Sequence, residues 1–377
     1  MAAAQILILG GYGETGKRLA EMLASHTKAE LIIAGRNSEK AAAISENINK
    51  QAGLSRSRPL VLDARDPEAV RSALMGIKLV VHAGPALGAE PTSRLVEAVI
   101  DVGADWIDVQ IDPVQTAAVR ALDEQARNRG VCVAVQSGFH PGLPAAMIRW
   151  AAKQVEELPT AEVFSFLNPD KGLVITQGVD ELFDLFRNYR VRLLEDGTWR
   201  DVSMWSMKAI RTFTFEHGYG KVGCAAMALD ELEDLPSLVP GLRKTGFFVG
   251  GSDAVTNWIT TPLILAGLKL LPSVKSSTWA KLWVGSMKLF GHPPYGTALQ
   301  LAGVGKTEGR EVPVHLFIDH PDEYVLTAAP MCATILQMLD GSARPAGVHF
   351  AAHLPEPERM LDDMEALGLR IVRGVPS

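Results

Sequence analysis

The stretch Gly10 to Arg18, GGYGETGKR, carries the densest candidate chemistry in the chain, and its spacing fits two phosphate-binding loops. Gly11, Gly16 and Lys17 follow G-x-x-x-x-G-K, in which the lysine and a following hydroxyl serve a nucleoside triphosphate and its magnesium. Gly11, Gly13 and Gly16 follow G-x-G-x-x-G, the turn that lays a dinucleotide pyrophosphate on a helix N-terminus. Arg18 occupies the place of the required Ser or Thr, and its cation would repel magnesium. The dinucleotide reading has the right surroundings, with the apolar run QILILG before the loop and ETGKRLAEMLASH after it. In this reading Gly11 permits the tight turn, Gly13 lets the backbone approach the pyrophosphate, and Gly16 lets the helix pack on the strand. Gly10, Tyr12, Glu14 and Thr15 complete the expected cofactor loop.

The end of the second apolar run distinguishes the two dinucleotides. An NAD site places a carboxylate there for the ribose 2′-hydroxyl, whereas this chain reads AGRNS. Arg36 suits a 2′-phosphate, Asn37 and Ser38 offer further donors, and NADP is therefore the expected cofactor. Asp63, closing VLD at the third run, joins the expected contacts.

Ligands of open α/β sheets lie outside the carboxyl ends of the strands. The later runs end in VVHAGP, DWIDVQ and QSGFHPGLP, which bring His82, Asp108, Gln110 and His140 to that edge. Gly84 and Gly138 let backbone approach a flat ring there, and Ala83, Gly84 and Pro85 form a turn expected beside the cofactor. Histidine titrates near neutral pH, so His140 and His82 are candidate proton carriers, with Asp108 able to orient a histidine or a ribose hydroxyl. Each also has a plain structural reading, as a backbone-bonded ring or a turn cap. Farther along, Arg187, Tyr189 and Arg190, and then His217, Tyr219 and Lys221, could meet a substrate carboxylate. His349 and His353 lack further ligands nearby, so no metal is expected.

The elements that must position these groups follow from patterning. Short β-branched runs alternate with amphipathic segments from residue 5 to about 150, the sign of a doubly wound parallel sheet, here of six strands. Asp66 followed by Pro67 marks one helix start. Beyond about residue 158 the rhythm lengthens, with strand-like AEVFSFLN, TALQLAGVG and VPVHLFIDH and the hairpin-like LLEDGTWRDV, an α+β pattern. The expected division is 1–150 for the dinucleotide domain and 151–340 for a substrate and dimerisation domain. Residues 341–377 form a strand-helix-strand tail returning to the first domain.

A chain of 377 residues suits two domains. A net charge of −6 offers no basic surplus for nucleic acid, which leaves a small-molecule substrate as the expected partner. Cys132, Cys224 and Cys332 are odd in number and far apart, and the first residues lack a basic n-region, so a cytoplasmic protein is expected. The apolar excess, with 47% apolar residues overall, gathers in residues 247–291. Pro262, Lys269, Pro272 and Lys275 interrupt that segment before it reaches membrane-spanning length. Residues 255–291, in which Trp279, Leu282, Trp283 and Leu289 stand beside Lys281 and Lys288, suit a buried core, a homodimer interface, the wall of a pocket for an apolar substrate or a peripheral contact with lipid.

In ILGGYGETGKRLA, AGR, LDARD, VVHAGP, EAVIDVGADWIDVQ and GFHPGLP, the chain resembles the saccharopine dehydrogenase-like family over residues 5 to about 150. HPDEYVLTAAPMCATILQMLDG and GVHFAAHLPEPERMLDDMEALG resemble its C-terminal region. The resemblance implies a Rossmann-type domain binding NADP, with the glycines and Arg36 as contacts and Gly84 and Pro85 beside the nicotinamide ribose. It implies hydride transfer to or from a C=N bond of an amino-acid or polyamine conjugate, or a C=C bond of a lipid-like substrate. Two rival readings stand beside it: an NADP(H)-binding sensor or scaffold without turnover, and a membrane-docked reductase of a lipid intermediate.

Overall fold

The structure, a computed structural model, describes residues 3–53, 55–169, 183, 186–187 and 189–374. The chain divides into two compact units, one formed by residues 1–143 with 324–368 and the other by residues 144–323 with 369–377.

The first unit is a seven-stranded sheet in the order β15-β6-β5-β4-β1-β2-β3, with every pairing parallel. Its strands are β1 (Gln5–Leu9), β2 (Glu30–Gly35), β3 (Ser57–Val61), β4 (Ile77–His82), β5 (Asp105–Asp108), β6 (Cys132–Val135) and β15 (Gly347–Phe350). The helices are α1 (Glu14–His26), α2 (Ser38–Ala52), α3 (Pro67–Ala73), α4 (Ala89–Asp101), α5 (Pro113–Arg120), α6 (Asp123–Arg129), α11 (Glu323–Asp340) and α12 (Pro357–Ala366). Strand order reverses at β1, which lies between β2 and β4. This α/β architecture agrees with the sequence pattern, except that β15 adds a seventh strand.

Both faces of the sheet are covered, which is why its strands read as continuous apolar runs. Ile6 and Ile8 of β1 pack with Leu19 and Leu23 of α1 and with Met331 and Ile335 of α11. Leu7 and Leu9 pack on the opposite face with Val96, Val99, Trp106 and Phe350. Helix starts are locally encoded: Asp66 and Asp112 accept first-turn amides of α3 and α5, and proline follows each cap.

The expected domain limits need correction at three places. The first unit ends at residue 143, and α11, expected in the second domain, belongs to the first because Ala328, Met331, Cys332 and Ile335 fill its core. The tail is split as well. Its strand β15 pairs with β6, assisted by Arg344 on Asp105 (2.6 Å) and by Val348 N–H on Asp123. Its last strand, β16 (Arg370–Gly374), pairs with β14 in the other sheet.

The second unit holds a nine-stranded mixed sheet. Its strands are β7 (Glu157–Asn168), β8 (Arg192–Glu195), β9 (Thr198–Asp201), β10 (Ile210–Phe215), β11 (Gly220–Met227), β12 (Lys244–Gly250), β13 (Gly296–Thr307), β14 (Arg310–His320) and β16. β8 and β9 form the expected hairpin, turning at Asp196 and Gly197, both at positive φ. Its helices are α7 (Leu143–Lys153), α8 (Leu235–Leu238), α9 (Thr261–Leu270) and α10 (Ser276–Phe290). Arg187 donates to the carbonyls of Pro272 and Val274 and to Ser276, fixing the turn between α9 and α10.

The two tryptophans expected at a lipid contact are on the packed side of these helices. Trp283 is buried with Nε1 donating to Thr261, and the ring of Trp279 covers Gly267. Among the described residues no helix is long and apolar enough to cross a membrane.

Candidate functional site

The loop after β1 is built on glycine for separable reasons. Gly10 sits at φ +78° and donates its N–H to Ala34 O at 2.9 Å. The left-handed position of the turn is therefore Gly10, not Gly11 as the spacing suggested; the signal was the doubled glycine directly after the strand. A Cβ at Gly10 would lie 2.4 Å from Gly84 Cα, so the β1 and β4 loops touch through two bare backbones. A Cβ at Gly16 would lie 2.3 Å from Gly10 O, which makes glycine the condition for α1 to start where it does.

Gly13 differs from these. It is exposed, its φ is an ordinary −71°, and its nearest Cβ neighbour would be Gly10 O at 3.3 Å. A Cβ there would meet one backbone oxygen closely and nothing else, so glycine at this exposed position leaves room for an approach from outside. Gly13 is also the N-cap of α1 and supplies no side-chain cap, leaving the first-turn amides and the positive helix end for an external anion. The loop thus fits a dinucleotide pyrophosphate.

Tyr12 reaches from this loop to the end of β2. Its ring lies over Gly35, where a Cβ would come within 2.2 Å of it, and its hydroxyl accepts the N–H of Asn37 at 3.2 Å. Asn37 caps α2 by accepting Lys40 N–H at 2.8 Å, so only its amide group remains for a ligand. Arg36 and Ser38 are exposed on either side. No carboxylate stands beside Arg36 in sequence, and the segment suits a 2′-phosphate. Asp63 is exposed one strand over and accepts Arg65 N–H at 3.0 Å.

The ends of β4, β5 and β6 are knitted together by one carboxylate. Asp108 accepts Trp106 Nε1 (2.8 Å), Gln110 N–H (3.1 Å) and Gln136 N–H (3.1 Å), while its carbonyl accepts Ser137 N–H (2.7 Å). Burial pushes the Asp108 carboxyl up to about 6, against the pull of those donors. Gln136 is held at φ +59° by this arrangement. The Gln110 side chain then donates to Gly84 O at 2.9 Å, fixing the Ala83–Pro85 turn, a tie that the sequence did not reveal.

His82 is buried at the end of β4, 5.6 Å from the Trp106 ring between centroids. Its ring bonds the Pro85 carbonyl, and Nδ1 has no hydrogen-bond partner among the described residues. Burial brings its pKa down to about 4. His140 packs against Phe139 at 4.4 Å, and burial lowers it to about 4 as well. Its loop closes tightly, since a Cβ at Gly142 would meet Gly138 N at 2.4 Å.

Of the candidates in the second unit, Tyr189, Arg190 and Tyr219 are committed to internal bonds, as Arg187 is, whereas Lys221 is exposed and His217 lies 3.8 Å from Glu216. Tyr189 donates to Ala226 O, Arg190 pairs with Asp230, and Tyr219 donates to Asp319, which Arg370 also binds. Burial and Asp319 push the Tyr219 phenol up to about 12. All three cysteines are buried with raised pKa values, unlike reactive thiols. No cluster of three or more His, Cys, Asp or Glu side chains suited to a metal occurs among the described residues.

Residues 6–134 match the family model of the saccharopine dehydrogenase NADP binding domain. No curated protein matches the chain in sequence. Over 99% of this chain and 100% of the other, the structure is similar to saccharopine dehydrogenase (L-Glu forming) from Saccharomyces cerevisiae, with TM-score 0.69 and 13% identity. DAP dehydrogenase from C. glutamicum aligns over 97% of this chain and 99% of its own, with TM-score 0.46 and 14% identity. An engineered D-amino acid dehydrogenase bound to NADP+ aligns over the same shares, with TM-score 0.45 and 15% identity. The first likeness extends the shared fold to the whole chain. Residues 6–134 are thus similar to the NADP binding domain of saccharopine dehydrogenase, and the cofactor supported for this chain is NADP.

Proposed function

We propose that the protein is an NADP-dependent oxidoreductase that moves a hydride between NADP(H) and a C=N bond of an amino-acid or polyamine conjugate, or a C=C bond of a small molecule. The observation that carries the proposal is Gly13, an exposed glycine whose Cβ would meet only Gly10 O, heading an uncapped helix next to the Arg36 segment. In this reading Gly10–Gly16 and the first turn of α1 hold the pyrophosphate. Arg36, the Asn37 amide and Ser38 take the 2′-phosphate side, with Asp63 near the adenosine. Ala83, Gly84 and Pro85 line the nicotinamide ribose. When bound, the cofactor supplies or accepts the hydride.

The chain's own groups then set the proton chemistry. With pKa values near 4, His82 and His140 are neutral at pH 7, so neither stores a proton for donation. His140 would act as a neutral base or hydrogen-bonding partner for the substrate. Asp108, engaged by three donors, is a positioning residue that holds the β5 and β6 ends in place.

The test is a fluorescence titration with NADPH and NADH, followed by NADPH oxidation in the presence of imine-forming amino-acid and keto-acid pairs, polyamine conjugates and enoyl substrates. Preference for NADPH with turnover of one class supports the reading. Tight NADPH binding with no turnover of any class would replace it with an NADP(H)-binding sensor.

A further inference from the structure

Helices α9 and α10 form a hairpin in which each helix has a packed side and an exposed apolar side, a feature independent of the chemistry proposed above. Ile264 and Leu268 of α9 pack with Ala280, Trp283, Val284 and Met287 of α10 and with Phe183. On the other side, α10 exposes Lys281, Leu282, Lys288 and Leu289, while α9 and the turn leading into it expose Ile259, Leu263 and Leu270. Steps of four and seven residues return to the same side of a helix, so these residues form stripes. The exposure is deep, at 77% for Leu270, 72% for Leu289 and 64% for Leu263. Scattered exposed leucines need no explanation, but a stripe repeated along one side of a helix does.

Charge selects the occupant. The sequence has no carboxylate side chain between Asp253 and Glu308, yet Lys269, Lys275, Lys281 and Lys288 are all exposed there, in a chain whose net charge is −6. A partner must therefore accept leucines and four ammonium groups together. A second copy meeting this face across a two-fold axis would set lysines against lysines with no carboxylate from the segment to answer them. A bilayer with anionic headgroups satisfies both demands, as leucine inserts below the headgroups and lysine stems snorkel up among them.

We infer that the bare face of the α9–α10 hairpin docks the protein on an anionic lipid bilayer, lying in the interface without crossing it.

The experiment is co-sedimentation of the full chain with vesicles of phosphatidylcholine alone and of phosphatidylcholine with about one-third phosphatidylserine. The protein should pellet with the anionic vesicles, and much less with the neutral ones or at high salt. Leu282→Glu with Leu289→Glu should lower binding by about a hundredfold, given roughly tenfold for each inserted leucine. Lys281→Glu with Lys288→Glu should lower it by at least about 25-fold, from about fivefold per lysine. Both pairs alter exposed positions, and an unchanged melting temperature and NADPH affinity establish that they fold. Equal pelleting with both vesicle types, no pelleting, or variants that pellet like the parent would overturn the inference. So would light scattering that shows a parent dimer reduced to a monomer by the leucine pair, since a second copy would then own the face.

Discussion

His82 and Asp108 stand opposite each other in the β4–β5 register, and burial moves their pKa values past each other, the ring down to about 4 and the carboxyl up to about 6. The effects on stability have opposite signs. A histidine depressed from its ordinary 6.5 contributes stability that is lost as pH falls from 6.5 toward 4, because the unfolded chain binds the proton first. A carboxyl raised from 3.8 does the reverse, and stability declines as pH rises from about 4 to about 6.

Over that window each group changes stability by roughly 1.4 kcal/mol per pH unit, and the two nearly cancel. Relative to the parent, His82→Gln should therefore gain stability at pH 4.5 over pH 6.5, while Asp108→Asn should do the opposite. Urea unfolding at several pH values measures this, and parallel shifts of both variants would contradict the assigned burial effects.

The glycines of the loop separate folding from binding. Gly10→Ala forces a left-handed alanine against Gly84 Cα and should cost roughly 3 kcal/mol, seen as a lower melting temperature. Gly13→Ala meets only Gly10 O at 3.3 Å, so stability should change by under about 1 kcal/mol. NADPH affinity of the Gly13 variant should nonetheless fall about tenfold or more, as its methyl stands where the pyrophosphate approaches. Unimpaired binding in the alanine variant would remove the pyrophosphate from that position.

Arg36→Asp replaces attraction by repulsion at the 2′-phosphate. NADPH affinity should drop about a hundredfold, with NADH affinity kept or improved. The ratio of the two dissociation constants is the readout, and an unaltered ratio would place the 2′-phosphate elsewhere.

Tyr12→Phe keeps the ring over Gly35 and deletes the acceptor of the Asn37 N–H. The exposed amide can turn to water, so the melting temperature should hardly move. NADPH affinity should weaken about fivefold, as the Arg36 segment loses one restraint. A wild-type titration curve would show that the hydroxyl does not position the segment.

The sequence was most legible where one short segment determines its own structure. The strand–loop–helix at Gly10–Gly16, the Asp-Pro helix starts and the Asp196-Gly197 hairpin depend on neighbours in the chain, and their spacing carried the information. The turn position of Gly10 was given to Gly11, and its packing partner Gly84 was not legible, because that backbone lies 74 positions away in the sequence where no local pattern reveals it. Asp108 does cap the turn at Gln110, one of its two expected readings, but its hold on the Gln136 amide after another strand was not legible for the same reason. Of the four apolar residues that stood out in 276–290, Trp279 and Trp283 went inward and Leu282 and Leu289 were left outside, a division set by which side of the helix meets its neighbours and not by composition. The division of the tail between two sheets lay beyond local patterning altogether.

The first unit draws residues 324–368 from the far side of the second, and those residues include Met331, Cys332 and Ile335 under β1 and the strand that edges β6. During synthesis residues 1–143 therefore emerge well before the residues that complete their unit. Until residues 324–368 have been made, the side of the sheet that carries Ile6, Ile8 and Leu31 has the cover of α1 and α2 but lacks that of α11. A fragment ending near residue 143 would be a nascent intermediate rather than a portable domain, and joining the two stretches by a short linker would be the way to obtain that unit alone.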